Sequence, residues 1–79
     1  MWQGHRIEEL ESEPIHGNFF MDEDLWMEAD AILMNPAEPM WARIRALKLI
    51  DRICGEKEPI YNADTVIRVC ADLREERGC

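Results

Sequence analysis

Residues 35–55 read NPAEPMWARIRALKLIDRICG, and this stretch decides the fold. Asn35 offers a capping side chain and Pro36 suits a first helical position. Glu38 stands three residues after the cap, where a carboxylate can reach back to the cap N–H. Pro39 still falls within the first turn, where no intrahelical N–H is needed. Gly55 stops the run, because glycine accepts the left-handed conformation that closes a helix. The spacing predicts a helix over 36–54. Its main apolar stripe is Met40, Ile44, Leu47, Ile50 and Cys54, and Ala46, Leu49 and Ile53 widen it past half the circumference. A helix apolar on most sides belongs in the middle of a fold.

Two further helices flank this one. On the N-terminal side a helix over 22–34 is expected, with Asp22 as cap and Glu23 and Asp24 in a first turn that favours anions. Met21 and Trp26 fit a hydrophobic staple across that cap. Leu25, Trp26, Ala29, Ile32 and Leu33 share one arc of the wheel, the face predicted to be buried. On the C-terminal side a helix over 63–77 starts from Asn62 or Asp64, with Val66, Val69, Cys70 and Leu73 inward and Tyr61 placed to staple onto Val66. Residues 1–20 are either an extended acidic arm held by Trp2, Ile7 and Ile15, or a short helix ending before Pro14 with Ile7 and Leu10 inward. His16-Gly17-Asn18 is turn chemistry. The class is therefore all-α: one small domain over 1–79, with three main helices and an acidic N-terminal arm or short helix. At 79 residues it is near the lower limit for a core without staples.

The net charge of −8 is distributed in a telling way. Up to Asp30 there are nine carboxylates and one base, Arg6; from Ala31 onward eight acids meet eight bases. Such segregation sets up a directed field, which acts on partners and encounter rates rather than on fold. It repels nucleic acid and anionic membrane and attracts basic protein surfaces. Asp22 to Asp30 spans ~12 Å of helix. Its five carboxylates approach, within a factor of two, the ~1.7 Å-per-charge density of duplex DNA.

The candidate binding residues follow from that pattern. Glu23 and Asp30 lie along one side of the helix over 22–34, and Asp24 and Glu28 along another, all off the core arc. Between these acid rows lie Met27, Ala31 and Met34, directed outward. Polarisable Met side chains flanked by carboxylates suit an adaptable protein-binding surface. Glu8, Glu9, Glu11 and Glu13 extend the acidic surface. The competing readings are that the acids serve solubility alone, and that the arm or a homodimer partner covers the Met stripe. On the helix over 36–54, Trp41, Arg45, Lys48 and Arg52 form one line. In so acidic a chain this line reads as an anchor for acids of the N-terminal segment, with Trp41 beneath the arm.

Chemistry is poorly represented. The three cysteines, Cys54, Cys70 and Cys79, form no C-x-x-C pair and read as reduced thiols in a cytoplasmic setting. Asp22-Glu23-Asp24 is no calcium loop, because Met27 stands where glycine is needed and Leu33 where the bidentate glutamate is needed. His5 and His16 meet no motif for zinc. Neither Ser12 nor Thr65 sits in a nucleophile elbow, and there is no glycine-rich phosphate loop. No metal, cofactor or enzymatic activity is expected. No stretch resembles a signal peptide or membrane span. In size and charge alone the chain is similar to small acidic inhibitors of phages and mobile elements, such as anti-restriction and anti-CRISPR proteins. The similarity implies occlusion of a basic, nucleic-acid-binding surface on a host protein. The alternative is a small helical adapter or regulatory subunit.

Overall fold

A computed structural model describes residues 5–57 and 59–77, which hold four α-helices and no strand: α1 (His5–Glu11), α2 (Phe19–Met34), α3 (Met40–Cys54) and α4 (Ala63–Glu76). The all-α expectation is met, and the N-terminal segment takes the short-helix alternative. The expected docking of Trp2 lies outside the described residues, and the C-terminal helix ends at Glu76 with Arg77 as its cap, one residue short of the expected 63–77.

Helix α2 begins three residues earlier than the sequence suggests. Asn18, not Asp22, is the cap: its side chain accepts from Phe20 N at 2.9 Å. Gly17 precedes it with φ of 75°, a conformation that favours glycine. Asp22 therefore lies inside the helix and is buried, its carboxylate reaching back to accept from His16 N at 3.0 and 3.2 Å and from Gly17 N at 3.1 Å. This brace fastens the loop between α1 and α2. The Met21–Trp26 staple does not form its cap geometry, and Met21 is exposed. Asn35 in extended conformation ends the helix before Pro36, as expected.

Helix α3 starts four residues later than the capping signal at Asn35 implies. Asn35 Oδ1 accepts from Ala37 N at 2.9 Å, and Glu38 N donates to Asn35 O, so residues 35–38 form a turn. The reason is the second proline. Pro39 disfavours helical backbone at the residue before it, so a helix begun at Pro36 would have to carry Glu38 in a conformation it resists. Pro39 becomes the cap instead. The C-terminus follows the sequence: Gly55 is left-handed, with Gly55 N donating to Arg52 O and Glu56 N to Asp51 O, the paired bonds of a Schellman end. Helix α4 is capped by Asn62, whose side chain accepts from Thr65 N while Thr65 Oγ1 accepts from Asn62 N.

All four helices share the core. Ile7 from α1, Leu33 from α2, Leu49 from α3 and Val66 from α4 are among its largest fully buried side chains. The main pair is α2 with α3, and both α1 and α4 pack against each of them. Helix α3 is thus not alone at the centre. Its face is also rotated from the expected one: Ala42, Ala46, Leu47, Leu49 and Ile53 are buried, whereas Met40, Ile44 and Ile50 are half-buried and Cys54 is exposed. The buried arc centres on Ala42 and Ala46, both fully buried. Cross-ties complete the packing. Arg43 Nε donates to Leu33 O at 2.8 Å, placing a cation at the negative end of α2, which has no basic residue of its own there. Tyr61 Oη donates to Asp51 Oδ2 at 2.8 Å. No described helix is long and apolar enough to cross a membrane.

Candidate functional site

Helix α2 is apolar on two opposite sides. Leu25, Ala29, Ile32 and Leu33 face the core. Opposite them Phe20 is 87% exposed and Met27 54% exposed, with Ala31 also exposed further along the same line. At 3.6 residues per turn the spacing 20, 27, 31 keeps these three within a narrow stripe. Phe20 was missed by the sequence reading because the helix was started at Asp22. The signal that would have found it is the Gly17-Asn18 pair, a left-handed residue followed by a strong cap. Met34, expected in the same stripe, is instead half-buried and packs against the core.

The predicted acid rows are on the surface, but many of their charges are already engaged. Arg6 of α1 donates to Glu28 of α2 and, at 3.0 Å, to Glu9. These two hydrogen bonds, with the Glu28 carboxylate leading, raise the Arg6 guanidinium pKa further above its ordinary range. Asp30 receives both its contacts from Arg77 at 3.0 and 3.1 Å, tying the end of α4 to α2. Glu11 is half-buried and holds Arg45 of α3 in a two-pronged pair, with Nε at 3.0 Å. Arg45 is raised in turn, chiefly by that hydrogen bond. Its guanidinium also lies 5.6 Å from the Trp41 ring centre, and Trp41 remains 42% exposed rather than buried under an arm. Lys48 sits 5.6 Å from the Tyr61 ring. The basic line of α3 thus anchors the N-terminal segment through Glu11, as its composition suggests.

What stays outside these ion pairs is a smaller set. Glu13, Glu23 and Asp24 are exposed. Beside the apolar stripe, on the Asp24 side, a shallow groove of about 260 Å³ runs between α2 and the 13–16 loop. Met21 and Leu25 line it together with the carboxylates of Glu13, Asp24 and Glu28. No group of three or more His, Cys, Asp or Glu among the described residues is placed to hold a metal ion. The arrangement offers apolar contact and negative charge side by side, the chemistry of recognition. No protein-family model, curated protein or solved structure matches the chain.

Proposed function

We propose that this chain is a small acidic binding protein that seats the outer face of α2 on a basic protein surface of the kind that holds a nucleic-acid backbone, and so occludes it. The observation that supports this reading is the exposed Phe20–Met27 stripe set between Glu23 and Asp24. An acidic face serving solubility alone has no use for an aromatic ring left almost wholly in water. The field of the first thirty residues would speed encounter with a cationic partner and hold polyanions away. Because Glu28 and Asp30 are engaged by arginines of the same chain and Asp22 is buried, the free charge along α2 is sparser than a phosphate backbone. Apolar contact must therefore carry part of the affinity, with charge setting the rate of approach.

Exposed Ile60 and Ile67 favour the second reading, a helical adapter that contacts another protein through its neutral part while its acidity serves solubility. Capture from the native host at low and high salt separates the two. The inhibitor reading expects a captured protein that binds nucleic acid, releases it when this chain is added, and is held less well by the Glu13→Gln/Glu23→Gln/Asp24→Asn variant. Captured proteins that bind no nucleic acid, or equal capture by the variant at low salt, would sink it.

A further inference from the structure

The outer face of α2 constrains what can sit on it. From Phe20 to Ala31 the apolar stripe runs ~17 Å along a straight helix, about three turns. Among the described residues, unpaired carboxylates stand on both of its sides, Glu23 on one and Asp24 on the other, each beside an acid already held within the chain, Asp30 by Arg77 and Glu28 by Arg6. Residues 19–34 contain no base at all. A second copy of α2 laid along this stripe would bring Glu23 and Asp24 of one copy against those of the other with no base of α2 between them, so self-association through this face is opposed. A neutral apolar surface would strip water from Glu23 and Asp24 with nothing in exchange. An anionic membrane or a nucleic acid is repelled outright.

The groove beside the stripe adds a positive requirement. Its apolar wall, Met21 and Leu25, lies next to Glu13, Asp24 and Glu28. A lysine or arginine side chain matches that combination, its methylene stem on the apolar wall and its cation at the carboxylates. Resting on the reading that the acidic third meets a basic protein, we infer that the occupant is an amphipathic helix of the partner. Its apolar stripe lies along Phe20, Met27 and Ala31, its basic residues face Glu23 on one side and Asp24 on the other, and one of them enters the groove. Helix against helix uses the full length of the stripe, and the unbranched Met27 adapts to the side chains it meets.

The test uses two synthetic peptides of about eighteen residues, built from Leu and Lys only and identical in composition. In one, Leu follows the helical period and forms a stripe; in the other, Leu is dispersed around the helix. Each is titrated into the full chain at physiological ionic strength by fluorescence anisotropy. The striped peptide should bind about tenfold or more tightly than the dispersed one. Phe20→Ser/Met27→Ser should abolish that ratio and leave weak, salt-sensitive binding; circular dichroism checks that this doubly exposed site leaves the fold intact. Glu13→Gln/Asp24→Asn should weaken the striped peptide about threefold or more. Equal affinity for the two peptides, or a ratio that survives the Phe20/Met27 change, overturns the inference and leaves the acidic-face reading standing. Failure of both peptides to bind even at low salt overturns the inference and the acidic-face reading together.

Discussion

Helices α2 and α3 are 16 and 15 residues long and together supply most of the core, yet their outer faces are put to different use. Three basic side chains of α3 are engaged within the molecule: Arg43 reaches Leu33 O, Arg45 holds Glu11 and lies over Trp41, and Lys48 lies over Tyr61. Helix α2 keeps Phe20, Met27, Glu23 and Asp24 exposed. A basic line that braces its own chain has little left for a partner. The proposed function places binding on the acid-flanked apolar stripe of α2. Segregation of charge in sequence therefore overstates segregation in space, because α1 and the end of α4 carry arginines and glutamates across to neighbouring helices.

The sharpest test of this contrast is in the core, where the two helices should behave alike. Leu33 and Leu49 are both almost fully buried. Truncation of a buried Leu typically costs ~2–5 kcal/mol, as much as a domain this small has in total. Leu33→Ala and Leu49→Ala should each unfold the protein or lower its denaturation midpoint by comparable amounts. Met27→Ala on the outer face should stay within about 0.5 kcal/mol of the parent. A mild Leu33 variant beside a severe Leu49 variant would show that α3 alone organises the core.

Next in size is the brace at the start of α2. Asp22→Ala leaves the His16 and Gly17 amides without their acceptor, a loss of roughly 1–3 kcal/mol for a buried group. Asp22→Asn keeps one acceptor oxygen and should lose less. Amide hydrogen exchange at His16 and Gly17 should quicken in the order parent, Asn, Ala. Unchanged exchange in the Ala variant would mean that Asn18 and Gly17 hold the turn without help.

These two sites also show which parts of the fold the sequence could express. The buried arc of α2 followed from its helical period and the left-handed stop at Gly55 from a local rule, and Asn62 was one of the two caps, with Asp64, that the sequence offered for α4. Asp22 was misassigned because an acid at a helix start and an acid inside one look alike until the chain direction before it is known. Pro39 overrode a well-formed capping signal through its effect on Glu38, a competition between two local rules. The stripe of the candidate site was half legible: Met27 followed from the wheel, whereas Phe20 needed the true helix start, and Met34 packs against the core instead of facing out. The pairing of Glu11 with Arg45 spans 34 residues; only its general sense, base on α3 to acid on the N-terminal segment, could be anticipated.

A smaller effect is expected where α3 braces α1. A double-mutant cycle on Glu11→Gln and Arg45→Met should give a coupling of at most about 1 kcal/mol, because Arg45 is 40% exposed and water and salt screen the pair. The coupling should shrink as salt is raised. If it persists at high salt, the bond is better shielded than its exposure implies, and the α3 line is a stronger brace than the contrast with α2 requires.

The smallest effect lies at Cys54, where the braced face of α3 gives way to an open groove between α2, α3 and α4, lined by Trp26, Leu47, Ile50, Val69 and Leu73. Although the residue is exposed overall, burial of part of its surface pushes the thiol pKa up, and the Glu56 and Asp51 carboxylates push it further. The thiolate is the reactive form, so alkylation by iodoacetamide at neutral pH should be slower at Cys54 than in a short peptide of the same local sequence. The rate should rise only above the ordinary cysteine range. The sign for stability follows from linkage: with the folded pKa above the unfolded one, the unfolded chain loses its proton first as pH rises. Any contribution of this thiol is present below the unfolded value and is lost as pH climbs toward the folded one. Site-resolved mass spectrometry of alkylation against pH measures the shift directly. A Cys54 that titrates like the free peptide would mean that the groove stands open to water, and that α2 is held to the rest of the molecule mainly by α3.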